Sequence, residues 1–192
     1  CKAVYLYTQG DIKVNGFTAE SARVSSLSGD VDLAGVNGVK VNASTVSGAV
    51  HWRGGSAQEV DVETNSGPVS LSDVTAQDCR LKTVTGRVDF AGSSALAFAV
   101  ETVSGDVSTR LGACPQEADL RSAAGDITVN LEENSGFAAE YASVSGRFSS
   151  DFTGAGEKGR LLYGSGGPKL TLATTWGDIR LQRAAGPQAR LG

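Results

Sequence analysis

Residues able to do chemistry are sparse in this sequence and lie far apart. His51 is the only histidine, cysteines stand only at Cys1, Cys79 and Cys114, and methionine is absent. A nucleophilic site needs a Ser or Cys held against a base, and zinc takes three or four His, Cys or carboxylate ligands. Strand alternation turns His51 outward beside Arg53, with no nucleophile paired to it. Neither a catalytic triad nor a metal centre is expected, and no cofactor is implied. Glycan-cleaving β-helices gather their acids on one face. Here Asp32, Asp61, Glu63, Asp89 and Glu101 are scattered among Arg80, Lys82 and Arg87. Mixed signs on neighbouring segments read as a solubilising surface paired in ladders. A glycan-active enzyme is therefore the weakest reading, and the chain is expected not to be an enzyme.

Binding chemistry has more support. From Thr153 to Pro168 a Gly-rich stretch carries Glu157, Lys158, Arg160 and Tyr163, the candidate partner-binding residues, and Trp176 follows it. Loops on rigid scaffolds often carry function, although a tolerated surface insertion is the plainer reading. Cys1 is a candidate lipid attachment site. A mature N-terminal cysteine is what lipoprotein processing leaves, and it would anchor the chain to a membrane. A trimmed chain is the other reading, favoured by a strand that starts at once at Ala3. A net charge of −4 and a pI near 5.0 leave no basic footprint for nucleic acid.

The elements that must position these residues follow from a repeat. Glycines fall at Gly10, Gly29, Gly48, Gly67, Gly86 and Gly105, each 19 residues after the last, and then at Gly125, Gly146 and Gly177. Two residues after these anchors stand Ile12, Val31, Val50, Val69, Val88, Val107, Ile127, Phe148 and Ile179. Five before stand Tyr5, Val24, Ala43, Val62, Leu81, Val100, Leu120, Tyr141 and Leu172. Apolar and polar residues alternate within each arm, the period of a half-buried strand. The same phase in every unit predicts stacking of like on like. The expected fold is all-β: a single-stranded parallel β-helix (β-solenoid) of about 19 residues per coil, with nine to ten coils, right-handed, forming one domain over 1–192. A loop or small hairpin is expected to leave the stack at 153–168. Tyr5 and Tyr7 are expected to close the N-terminal coil, and the tail 182–192 the other end.

The period explains the composition. Gly, Ala, Ser, Val and Thr fill just over half the chain, because a narrow coil admits few rings. Thr45, Thr64, Thr83 and Thr102 form a column with inward parity, which argues for a core ladder and against ice binding. The Ser-Gly-Asp turns (Asp11, Asp30, Asp106, Asp126, Asp178) are expected to bond their own local backbone. Ala49, Pro68, Arg87 and Arg147 interrupt that column, so it cannot supply the six to eight oxygens of calcium. Cys79 and Cys114 lie almost two coils apart, roughly 9 Å along the axis at the spacing of paired strands. That is too far for a disulfide.

The phrases Glu-Thr-Val-Ser-Gly-Asp-Val (101–107), Leu-Ser-Gly-Asp-Val-Asp-Leu (27–33) and Thr-Val-Ser-Gly (45–48) resemble a bacterial β-strand-repeat domain of adhesin type and unknown function. The resemblance covers nearly the whole chain and lapses at 153–168. It implies a β-helical domain at the cell envelope or surface, with no catalytic residues to carry over. The function expected is a non-enzymatic module that binds a protein or cell-surface partner or self-associates. The alternative is a subunit stacking end to end into a filament through unpaired edge strands. An envelope or extracellular location is expected, and a cytoplasmic one stays open.

Overall fold

The computed structural model describes residues 2–111, 114–132 and 136–184. Every regular element among them is a strand: β1 (Ala3–Thr8), β2 (Ile12–Asn15), β3 (Thr18–Ser26), β4 (Val31–Ser47), β5 (Val50–Ser66), β6 (Val69–Thr85), β7 (Val88–Ser104), β8 (Val107–Leu111), β9 (Glu117–Ala124), β10 (Ile127–Leu131), β11 (Phe137–Ser145), β12 (Phe148–Ser150), β13 (Arg160–Tyr163), β14 (Lys169–Trp176) and β15 (Ile179–Arg183). They form a β-solenoid of about seven turns, each of about 19 residues. From β4 to β7 one strand makes most of a coil, bending in the middle, and its residues pair in parallel with those 19 positions on (Val31 with Val50, Thr45 with Thr64). The bend uses a left-handed backbone. Gly16, Gly35, Gly54 and Asp73 occupy one column with φ of 58°, 61°, 64° and 56°. Asp is among the few residues with a side chain that tolerate this region.

The inward columns are those the alternation selects. Val31, Val50, Val69 and Val88 are fully buried, as are Val60 and Val62 on the facing arm. Trp52, Phe90 and Phe98 are the large rings of the middle coils, with Phe90 and Phe98 meeting across the interior at 4.4 Å. Each coil buries little alone, so stability comes from the neighbour above and below.

The anchor glycines serve a purpose beyond turn geometry. Gly67, Gly125 and Gly177 have φ between 153° and 157°, positive values that residues with a side chain rarely adopt. What every anchor after Gly10 lacks is room: a Cβ on Gly29, Gly48, Gly67, Gly86, Gly105, Gly125, Gly177 or Gly146 would lie under 3.0 Å from the backbone of the anchor one layer below. The polar residues beside them likewise act between coils, which corrects the expectation of local turn bonds. Asp11, Asp30, Asp106, Asp126 and Asp178 each accept the N–H of Asp30, Ala49, Asp126, Asp178 and Arg147 in the next layer. Ser26, Thr45, Thr64, Ser122, Thr174 and Ser143 donate from the inward hydroxyl column to the anchor carbonyl below.

Two features depart from a simple winding. Seven anchors, Gly10 to Gly125, stack in chain order, but the next layer belongs to Gly177 and the last to Gly146. β14 pairs β9 on one side and β11 on the other, while β15 lies between β10 and β12. The chain thus builds its final layer first and returns to fill the gap, so nine or ten successive coils become about seven with two added layers in reversed order. The second departure is β1, which pairs β3 at an offset of 18 (Val4 with Ala22, Leu6 with Val24, Thr8 with Ser26). A one-residue slip exchanges the faces of a strand. Tyr5 and Tyr7 therefore point outward, 71% and 76% exposed, and do not close the coil. Val4 and Leu6 take the inward positions, and Thr8 joins the hydroxyl column, accepting the N–H of Gly10 as Ser26 does that of Gly29.

Candidate functional site

The stretch 153–168 folds over the end of the stack and covers it. β13 runs antiparallel to β11, and Ala155 bridges Leu162 to make a small hairpin. Pairing Phe137 with Tyr163 and Ala139 with Leu161 turns Tyr163 and Leu161 toward the interior. Phe152, almost fully buried, packs edge-on at 5.1 Å from Phe137 and 4.9 Å from Tyr163, with the Arg183 guanidinium 5.4 Å above its ring. Tyr141 and Phe148 stack at 3.6 Å in the same last layer. Three aromatic rings and one aromatic pair thus replace the missing next coil.

The hairpin tip and the outer face of β11 and β14 line an open cleft of about 860 Å³. Gly156, Glu157, Lys158, Gly159 and Arg160 form one wall. Glu140 stands opposite, held 3.4 Å from Lys169, and Ala142, Thr171 and Ala173 form the floor. The hairpin is pinned by Arg160 N–H to Glu157 O and by Tyr141 N–H to Gly159 O, both 2.9 Å. The side chains of Glu157, Lys158 and Arg160 make no ion pair among the described residues. Lower on this face several charges pair: Lys40 and Arg80 flank Glu59 at 2.8 and 3.7 Å, Lys82 meets Glu101, and Arg121 grips Asp119. Lys40's hydrogen bond holds the Glu59 carboxyl below its ordinary range.

A family model described as Toastrack DUF4097 matches residues 7–182, from the slipped first strand to the last. The chain belongs to the Toastrack family. No curated protein and no solved structure matches it. The family is defined as a domain of unknown function, so the match supports the β-repeat character that the Ser-Gly-Asp phrases carry and leaves activity to the site itself.

Within this Toastrack chain the five sequence candidates separate. Glu157, Lys158 and Arg160 line the cleft, whereas Tyr163 belongs to the aromatic cover. Trp176 is 64% exposed at a turn, paired in register with Ala124 and Ser145, and is not part of the cleft. Cys1 lies outside the described residues, as do residues 185–192 of the tail expected to cover the far end. Cys79 is buried in its inward column and unbridged. Burial raises its thiol pKa strongly, and that of half-buried Cys114 to about 11, so neither is activated as a thiolate. His51 is outward, in register with Asp32 and Ser70. Among the described residues no three His, Cys, Asp or Glu side chains converge on a metal position.

The sequence reading missed the cleft floor. Its signal was present in one outward column, four before the anchor, where Glu63, Lys82, Glu101 and Arg121 give way to Ala173 and Ala142. A charged face that turns small at its end leaves space for something to lie on it.

Proposed function

We propose that this Toastrack chain is a non-enzymatic scaffold of the bacterial cell envelope or surface, of the adhesin type its repeat resembles. It acts as a stiff spacer that holds a partner-binding cleft at its covered end. The partner is a protein or another cell-surface component. The observation that carries this reading is the contrast along one face. Ion pairs recur along the rod, from Lys40–Glu59 to Arg121–Asp119, and lead to a cleft whose wall bears two cations and an acid that make no ion pair among the described residues, over a floor of small side chains.

The test uses the fluorescently labelled protein and bacterial cells. Wild type is expected to bind the surface. The double variant Lys158→Glu with Arg160→Glu is expected to lose at least tenfold in affinity with its thermal midpoint unchanged, since each desolvated charge contact carries about 1.5–3 kcal/mol. Release of new reducing ends from any member of a polysaccharide panel would overturn the non-enzymatic reading.

A further inference from the structure

One outward column of the solenoid is apolar where the columns on either side of it carry charge. Two residues before the anchors, Leu27, Val46, Val84, Val103 and Val144 are between 44% and 80% exposed. Strand register stacks them: Asn65 lies between Val46 and Val84, and Ala123 and Thr175 lie between Val103 and Val144. Exposed Trp176 stands beside Thr175. A lone exposed valine is ordinary. A stripe that runs from Leu27 to Val144, roughly 34 Å at the spacing of paired strands, marks a contact surface.

We propose that this stripe packs against the same stripe of a second copy. The two rods lie side by side and antiparallel, about a two-fold axis that crosses between the layers of Val84 and Val103. Charge selects the partner, the direction and the register. On one side of the stripe, four before the anchors, successive layers carry Glu63, Lys82, Glu101 and Arg121. On the other side, one after the anchors, Arg87 and Asp106 occupy the two central layers, with Asp30 and Arg147 toward the ends. Antiparallel rods set each column against its own reverse. Lys82 then faces Glu101, Glu63 faces Arg121, Arg87 faces Asp106 and Asp30 faces Arg147. Every one of these contacts joins opposite charges and is made twice, and no like charges meet in either column. Other arrangements fail this test. Centring the axis on Val84 sets Lys82 and Arg87 against their own copies, and centring it on Val103 does the same to Glu101 and Asp106. Moving it by a whole layer sets Asp126 against Asp30 or Asp106. Parallel rods bring Arg87 against Lys82 and Asp106 against Glu101.

The apolar contacts fit the same register. Val84 meets Val103 on each side of the axis, and Leu27 meets Val144. Trp176 lies over Ser47 and Val46, about 12 Å from the axis, and gives each copy an aromatic anchor of the kind that dominates interfaces. Lys82 and Glu101 already bridge at 3.4 Å within one chain, so a second copy turns them into an alternating square of four charges. The contact borders the cleft at Ala142 and Ala173 but does not depend on what the cleft binds. An isologous contact uses each stripe once, so assembly closes at two copies. The stripe and its flanking columns cover on the order of 500 Å² per copy, less than the roughly 800 Å² of standard interfaces, so the dimer dissociates on dilution.

Sedimentation velocity from low micromolar to near-millimolar protein reads this directly. Wild type is expected to shift from monomer to dimer and no further. Val84→Asn with Val103→Asn, the residue the column already holds at Asn65, weakens the shift about tenfold or more and leaves the thermal midpoint of the dilute protein unchanged. Lys82→Glu with Arg87→Glu yields a monomer, as does Glu101→Lys with Asp106→Lys. Mixing those two variants restores a one-to-one dimer, a rescue that a general loss of stability would not give. Direction is read in a Cys1→Ser, Cys114→Ser background with a short bismaleimide. Leu27→Cys and Val144→Cys chains link to each other when mixed and neither links to itself, because antiparallel rods hold like positions roughly 34 Å apart. A monomer at every concentration, a dimer that the two asparagines leave intact, no association between the charge variants, either cysteine variant linking to itself, or growth beyond two copies overturns the proposal.

Discussion

The two ends of this solenoid face the same physical problem and handle it in opposite ways. A parallel stack must stop somewhere, and its last coil exposes both backbone edge groups and inward side chains. At the Gly146 end the chain folds back on itself. An antiparallel strand satisfies part of the edge, Phe152 and Tyr163 fill the opening, and the returning β14 and β15 are sealed inside the stack. At the Gly10 end nothing is folded back among the described residues. β1 is slipped by one residue, its tyrosines lie outside, and Leu6 stays open to solvent. The covered end spends a 12-residue excess over one coil on closure.

Glycine substitutions break this comparison most sharply. Gly177 sits between two layers, and a Cβ there meets the Gly125 carbonyl. Gly177→Ala must force β14 and β15 away from β9 and β10, at a cost of about 3 kcal/mol or more. Gly10→Ala has open space and is expected to change monomer stability by under about 0.5 kcal/mol. Gly177 also has φ of 153°, which adds backbone strain to the lack of space. Urea titration of both variants at low protein concentration checks the pair, and equal losses would mean that neither clearance nor φ decides where an anchor glycine is needed.

Truncating one apolar side chain at each end comes next. Phe152→Ala removes a buried ring lodged between two others and is expected to cost about 3 kcal/mol. Leu6→Ala loses a side chain that is already partly solvated and is expected to cost less than about 1 kcal/mol in the monomer. Hydrogen exchange sharpens the result: loosening after Phe152→Ala is expected in β11 to β15 and not in β3 to β6, since each layer touches only its neighbours.

A smaller difference lies inside the hydroxyl column. Thr45 is buried and donates to Gly29 O at 3.0 Å, whereas the buried hydroxyls of Thr83 and Thr102 find no partner among the described residues. Thr45→Val is expected to cost about 1 kcal/mol and Thr83→Val to be neutral or stabilising, because the latter removes an unsatisfied group. Equal effects in chemical denaturation would mean that the column is uniform.

How much of this was legible in the sequence follows from what varies between layers. The inward columns were readable because alternation and a fixed period leave no other arrangement of Val31, Val50, Val69 and Val88. The order of the last two layers was not, because every layer presents the same column types to its neighbour. Gly177 fits on Gly125 as well as Gly146 would, and only the 31-residue interval hinted at a detour. The slip at β1 was hidden for a similar reason. Tyr5 and Tyr7 alternate as convincingly as Val4 and Leu6, and the deciding clue was the hydroxyl of Thr8, displaced by one from the column of Ser26 and Thr45. Glu157, Lys158 and Arg160 at the tip of the cleft were candidates from sequence, whereas its floor was not. The floor is an absence of large side chains, visible only once Ala142, Thr171 and Ala173 are known to be adjacent.

The smallest expected effect concerns acid and again separates the ends. Asp126 accepts the N–H of Asp178 at 2.8 Å and then the Arg180 guanidinium at 2.6 Å, so it clips the inserted layer to the one below. These contacts, the backbone bond first, hold its carboxyl below the ordinary value of 3.8. A carboxyl whose pKa is lowered by folding adds stability that is present above its unfolded value and is lost as pH falls through the folded one. The contribution is thus complete at neutral pH and disappears only below 3.8. Asp11 makes the matching bond to the Asp30 N–H at 3.0 Å, with no arginine paired to it among the described residues. Asp126→Asn is therefore expected to lower the thermal midpoint slightly at pH 7 and to flatten its decline in acid, while Asp11→Asn moves the monomer's midpoint less. The groups are exposed enough for salt to screen them, so both differences shrink as ionic strength rises. A midpoint for Asp126→Asn that follows wild type at every pH would show that β14 and β15 are held by backbone pairing and burial alone.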